Sequence, residues 1–483
     1  MKKVPATSTA TAVLPVRRLG VVVIVAMSRQ RLCPPRRHAT IRVASFRRLV
    51  VHCRMMRTSA LPWRSAERER GGSATTGGTP MTDADTTTGT VTTKGAWDPA
   101  ASAPHHVLDH AHLPVMTLRE SALANNTAVM QAYVDRHDLL FAPHMKTHMA
   151  PDLAARQIDA GAWGVTVASV QQAMVAWEHG VHRILVANEV LDPAGLAWLA
   201  SRRTVDPDAD VLCSVDSAAG VAAAVAAQGA VGGELHVLVE LGFPGGRTGV
   251  RSPDDARALA RLVHDAGLAL RGVSGYEGGL PGVDAAREYV DGVLDVAEDV
   301  RGLVDGRGLL SMGGSAWFDA VVDAVARRTD DLDVLLRSGA YLTHDDGFYA
   351  ERTPFGRHPA EGSLVAAIEV WGRVTSCPEP GLALVAVGKR DISFDEGLPV
   401  VRAVRPGGTA GAAQVVPPSG AVTVTRLDDQ HCYLALADGA PELTPGDVVV
   451  FGISHPCTVF DKWRQVHVLA DDDTVLRTIA TWF

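Results

Sequence analysis

From Pro114 onward, short β-rich runs alternate with alanine-rich amphipathic stretches. Switching between periods of 2 and 3.6 residues is the pattern of an α/β protein. A first strand over 115–118 precedes a helix over 121–136. Further strand-like runs start near Leu139, Gly164, Arg183, Val211, Leu235, Ala269, Gly308 and Val334, with helical patterns between them at 171–178, 253–266 and 285–300. Eight strand–helix alternations over about 225 residues predict a (β/α)8 barrel of the TIM type over 114–350. After Ser363 the pattern changes to strands without helices, at 365–370, 383–387, 421–424, 432–436 and 448–451. This predicts a second, all-β domain over 363–483, joined through 353–361, with the first strand (114–119) placed to pack against it. No repeat of solenoid period is present.

Residues 1–100 show no sustained period and are rich in Arg, Ser, Thr, Gly and Pro. The apolar run 20–27 follows Arg17-Arg18 but is too short for a membrane helix, which needs roughly 20 residues. Ser28-Arg29-Gln30-Arg31 stands where a secretory signal would carry small residues. This front is expected to be a disordered basic extension, or sequence upstream of a natural start at Met81. Charge sharpens the division. The 483 residues include 46 Lys+Arg and 54 Asp+Glu, a formal charge of −8. Residues 1–80 hold 16 of those cations against only Glu67 and Glu69, leaving 30 basic and 52 acidic residues, or −22, for the rest. So acidic a body excludes nucleic acid and anionic membrane as partners, since both demand basic surface. An apolar fraction of 47% excludes a disordered chain, and six Cys without a C-x-x-C pair exclude a disulfide scaffold or zinc ribbon. A cytoplasmic protein is expected.

Barrel enzymes place their reactive groups at the carboxyl ends of the strands. The first strand end reads Pro143-His144-Met145-Lys146-Thr147-His148. A Lys at a barrel mouth can be desolvated enough to form an imine with a carbonyl, although on position alone a solvated surface Lys fits as well. Later strand ends carry Gly245-Gly246-Arg247, Gly275-Tyr276-Glu277 and Met312-Gly313-Gly314-Ser315. Glycine backbone N–H groups opening a helix suit a phosphate, a weak signal by itself. Together the four strand ends describe a site for a phosphorylated carbonyl cofactor.

The Pro143–His148 segment resembles the pyridoxal-phosphate lysine motif of the D-serine dehydratase/D-threonine aldolase family, which pairs an alanine-racemase-like barrel with a β domain. The resemblance continues through Gly246-Arg247-Thr248-Gly249-Val250, Gly313-Gly314-Ser315, Arg337-Ser338-Gly339-Ala340-Tyr341 and Ser454-His455-Pro456-Cys457-Thr458. It covers about 114–483, and departs from the family at Ala142, often Arg there, and at Met149, often Lys. The resemblance implies that Lys146 carries pyridoxal 5′-phosphate, that Arg247 contacts a ring substituent, and that Tyr276 lines the ring pocket. It further implies that Gly313, Gly314 and Ser315 hold the phosphate, helped by Gly339 and Tyr341.

Residues two apart on an extended backbone share a face, so His455 and Cys457 could reach one ion, and imidazole plus thiolate suits zinc. His-x-Cys alone is weak evidence, but in the family this pair is the metal site. There, dehydratases carry His-x-Cys and D-threonine aldolases usually His-x-Asp, so Cys457 points to Zn2+ and to dehydration. The resemblance thus implies a lyase, a homodimer, that converts D-serine or a related 3-hydroxy D-amino acid to a 2-oxo acid and ammonia. Aldol cleavage of D-threonine, racemisation and a non-enzymatic cofactor-carrier role are the alternatives; for racemisation no residue can be assigned as second base. His105, His106, His110 and His112 read as incidental, Asn125-Asn126-Thr127 as a sequon inside a helix, and Cys213, Cys377 and Cys432 as strand packing. Asp461, Lys462 and Trp463 read as loop or interface, while His344-Asp345-Asp346 is either a simple turn or a shaper of the pocket.

Overall fold

Strand and helix alternate from Val115 to Leu336, and several of the helices are launched by a local device. Ser169, Ser217, Ser252 and Asp192 accept the backbone N–H three residues on, and Pro151, Pro193 and Pro253 occupy first-turn positions. A computed structural model describes residue 94 and residues 105–304, 306–328, 332–411 and 414–483, all within one unit, Ala84–Phe483. The expectations for residues 1–100, Lys94 apart, lie outside the described residues.

Eight parallel strands form the first sheet among the described residues: β2 (Leu140–Phe141), β3 (Val165–Val167), β4 (Arg183–Glu189), β5 (Asp210–Val215), β6 (His236–Glu240), β7 (Ala269–Ser274), β8 (Gly308–Met312) and β9 (Leu332–Leu336). They run in the order β2-β9-β8-β7-β6-β5-β4-β3. The ring is brought near to closure by a parallel bridge between His144 and Thr166 and by Trp163 N–H donating to Phe141 O at 2.7 Å. Alternation decides which side chains go where. Leu185, Leu212, Leu238, Leu309 and Leu335 fill the barrel axis, while Ile184 and Val186 face the helices.

The second sheet has nine strands among the described residues. β1 (Val115–Arg119) lies in it, antiparallel to β10 (Ile368–Glu379) and parallel to β16 (Gln465–Leu469). The others are β11 (Leu382–Val385), β12 (Val400–Arg405), β13 (Val422–Leu427), β14 (Cys432–Leu436), β15 (Val448–Gly452) and β17 (Val475–Ala480). The sequence pattern misses β12, β16 and β17, because polar residues interrupt their apolar alternation. The fold gives those residues partners: Arg402 forks onto Asp346, Arg405 pairs with the buried Asp473, and His467 of β16 meets Thr478 of β17. Asn126 explains the sequon-like triplet as structure. Its side chain donates to Leu342 O and Val365 O and accepts from Val365 N–H, tying the helix Glu120–Arg136 to the chain on either side of the interdomain link. No helix among the described residues is long and apolar enough to cross a membrane.

Candidate active site

Five strand ends, those of β2, β6, β7, β8 and β9, and one β-domain turn meet over the barrel mouth. Lys146 sits in a one-turn 3-10 helix (Met145–Thr147) just beyond β2. It lines both an outer cavity of about 550 Å³ and a smaller inner lobe. Burial lowers its pKa, Arg247 and Arg337 push the same way, and Cys457 opposes them. Tyr276, Ser315, Tyr349 and Cys457 also line both spaces; His455 joins in the outer one, and Arg247, Gly314 and Gly339 in the inner one. The Arg247 guanidinium lies 4.2 Å from the Tyr276 ring centroid, a cation–π pair at the lip of the lobe.

Two predicted residues lie elsewhere. Tyr341 is buried away from these walls: its hydroxyl accepts from Gln157 at 2.9 Å and its ring packs on Phe141. Gly313 bends the chain at φ +88° without lining either space. The buried Glu277 carboxylate accepts the N–H groups of both Gly313 and Gly314, which occupies the donors expected to face a phosphate. Ser315 and Gly339 remain at the lobe. Gly339 is required there, because a Cβ would stand 2.4 Å from His144 O.

Sequence reasoning missed Glu277, Arg337, Tyr349 and Asp395. Arg337, in the quoted Arg-Ser-Gly-Ala-Tyr run but given no role, lines the inner lobe and donates to Gly275 O. Tyr349 is carried by the loop after β9. Asp345 holds this loop by accepting from the N–H groups of Gly347, Tyr349 and Ala350. Burial pushes the Asp345 pKa up to about 6 despite those donors. The His344-Asp345-Asp346 run thus helps to shape the pocket through this loop, with Asp346 forked by Arg402. The same loop is stitched to the β domain, since Asp346 N–H donates to Ile453 O and Phe348 N–H to Ser454 O.

That stitching delivers His455 and Cys457 to the cavity. Thr147, beside the lysine, lies 3.4 Å from Cys457 Sγ through its hydroxyl. His455 Nδ1 lies 2.8 Å from Asp395 Oδ2. Burial lowers the His455 pKa, but Cys457 and Asp395 outweigh it and raise it to about 9. His106 is remote from this centre and caps the helix Val107–His110 by accepting from Leu108 N–H. Trp463 and Asp461 are also structural in placement, Trp463 donating to Asp391 O and Asp461 pairing with Lys462.

The groups present fit both expected additions. A depressed lysine, two guanidinium groups and a glycine-permitted approach suit a phosphorylated aldehyde, and two buried ring nitrogens, His144 Nδ1 and Trp317 Nε1, have no partner among the described residues. The volume is in the range of several hundred Å³ typical of small-molecule sites. Imidazole and thiolate, both on the cavity wall, make a donor pair that would suit a borderline-soft ion.

An alanine racemase N-terminal domain model matches residues 118–337, and a putative serine dehydratase domain model matches 367–469. Similarity to the D-threonine aldolase of Arthrobacter sp runs over 383 residues at 27% identity, covering 77% of this chain and 93% of that protein. Similarity to the D-threo-3-hydroxyaspartate dehydratase of Delftia sp. (strain HT23) is 28% over 383 residues, covering 75% and 95%. The crystal structure of D-threonine aldolase from Filomicrobium marinum shares the fold, with a TM-score of 0.64 at 24% identity over 80% of this chain and 98% of that one. The chain thus joins an alanine racemase N-terminal domain to a putative serine dehydratase domain, and its relatives are D-amino-acid aldolases and dehydratases, which makes it a lyase for which pyridoxal phosphate is the expected cofactor.

Proposed function

We propose that the protein is a pyridoxal-phosphate- and zinc-dependent dehydratase, working as a homodimer, that deaminates D-serine or a related 3-hydroxy D-amino acid. The observation that carries this reading is the meeting of Lys146 with His455 and Cys457 on the wall of one cavity. Lys146 would hold the cofactor; its lowered pKa keeps part of the amine neutral, able to take the substrate α-proton at Nζ. Arg247, Tyr276, Ser315 and Gly339 would surround the ring and phosphate, with Gly313 and Gly314 shaping the turn that Glu277 braces. His455 and Cys457 would hold the zinc. When bound, pyridoxal phosphate supplies an electron sink for charge at the α-carbon, and the ion supplies Lewis acidity for a poor leaving group, hydroxide. Loss of the α-proton and the β-hydroxide leaves an enamine, which takes up water and releases ammonia and a 2-oxo acid.

Aldol cleavage is the second reading, favoured by the aldolases among the relatives. Cys457, where the family's aldolases usually have Asp, favours dehydration. Purified protein supplied with pyridoxal phosphate and zinc, then given D-serine or D-threonine separately, distinguishes the two. Ammonia and 2-oxo acid are expected; glycine and aldehyde without 2-oxo acid would replace dehydration by aldol cleavage.

A further inference from the structure

The segment 393–397 is built around the His455–Cys457 turn. Four side-chain hydrogen bonds join the two stretches. Ser393 Oγ donates to His455 O at 2.7 Å, and Ser454 Oγ donates to Gly397 O at 2.6 Å. Thr458 Oγ1 donates to Asp395 Oδ1 at 2.6 Å, and the other Asp395 oxygen lies 2.8 Å from His455 Nδ1. A carboxylate can only accept, so Nδ1 carries the proton and donates. That leaves Nε2 as the remaining ring nitrogen.

We infer that Asp395 is a positioning residue that fixes the ring orientation and tautomer of His455, leaving Nε2 as the electron-pair donor beside the Cys457 thiolate. This rests on the reading of His455 and Cys457 as a metal site. The arrangement of carboxylate, imidazole and ion is a general one, in which the outer carboxylate both orients the ring and raises its donor strength. Thr458 completes the device by holding the carboxylate from its far oxygen, so the charge cannot swing away from the ring. On the other side Thr147 contacts the Cys457 sulfur. Each of the two donors is thus held by one outer residue, Cys457 from the barrel and His455 from its own domain. A pair with few protein donors depends on such support, because a misaimed imidazole leaves the thiolate alone.

The test is zinc affinity, measured on the full-length, cofactor-loaded protein by its competition with a chromophoric chelator for Zn2+. Asp395→Ala is expected to weaken binding roughly 10- to 100-fold. Asp395→Asn, whose amide oxygen still accepts from Nδ1–H, is expected to restore most of that loss, and Thr458→Val to give a smaller loss than Asp395→Ala. Unchanged circular dichroism and melting temperature show that the fold is intact, and Asp395→Asn and Thr458→Val carry the test should Asp395→Ala fail to fold. An affinity equal to that of the unaltered protein in Asp395→Ala overturns the inference, provided His455→Ala has lost zinc. An Asp395→Asn variant as weak as Asp395→Ala also overturns it, making the carboxylate a ligand instead of an orienter. Undiminished zinc binding in His455→Ala overturns the metal reading itself, a separate result.

Discussion

Lys146 has to be both buried and chemically available, and its surroundings meet both needs: desolvation and two guanidinium groups lower its pKa, while the cavity keeps the amine reachable. Lys146→Ala is expected to lose its cofactor on desalting and to deaminate D-serine at least roughly 100-fold more slowly, the contribution of a positioned acid–base group. Absorbance after desalting, together with an ammonia assay, checks both. A second residue tests the electrostatics at the end of β4. Both carboxylate oxygens of Glu189 are buried without a partner among the described residues, and burial, with Glu240 and Asp216 nearby, raises its pKa to about 8. A folded-state pKa above the ordinary value means that the folded protein keeps a proton the unfolded chain releases. Glu189 therefore contributes stability that is complete below the ordinary carboxylate pKa and lost as pH rises through about 8. Glu189→Gln, neutral throughout, should melt above the unaltered protein by a margin that is small at about pH 5 and largest at about pH 9. Equal margins at the two pH values would contradict the assignment.

Where elements meet, glycine decides how closely they come. Gly339, beyond β9, faces the backbone of His144 beyond β2, and an added Cβ would stand 2.4 Å from one carbonyl oxygen and 2.7 Å from the His144 Cβ. Neither neighbour can yield without moving the turn that carries Lys146. Gly339→Ala is expected to cost about 1–3 kcal/mol of stability and to weaken cofactor binding, read by thermal melting and by cofactor titration. Gly282, with φ −172° and open space around its Cβ position, is the control that should tolerate Ala. The same distinction explains what the sequence reveals. The barrel strands were legible because their apolar runs recur, whereas Lys146 and the His455–Cys457 pair were singled out by the family resemblance, their local spacing being weak evidence alone. Asp395 was not legible: it lies 60 positions from the ring it holds. Glu277 acts on a turn 36 and 37 positions away, and Arg337 on a carbonyl 62 positions away. No local pattern marks such residues, because only the fold brings their partners to them. β12 and β16 fail for a related reason: Arg402, Arg405 and His467 look solvated until their partners arrive.

The candidate site is divided between two sheets. The lysine and the residues around the inner lobe belong largely to the barrel, whereas His455 and Cys457 belong to the β domain, and the two meet through Thr147 and the loop after β9. This division predicts that the two additions can be removed independently. Dialysis against a zinc chelator should leave bound pyridoxal phosphate and its visible absorbance in place, because Lys146 and its neighbours are untouched. Formation of 2-oxo acid from D-serine should nevertheless fall by at least roughly 100-fold, the weight of a Lewis acid on a poor leaving group, and return when zinc is restored. The reverse treatment, removing the cofactor with hydroxylamine, should leave zinc content near its starting value, since neither His455 nor Cys457 depends on the cofactor for its anchor. Loss of both on either treatment would mean that Thr147 and the loop after β9 couple the halves tightly enough to make one cooperative site. Undiminished 2-oxo acid formation after chelation would remove the metal pair from the chemistry altogether.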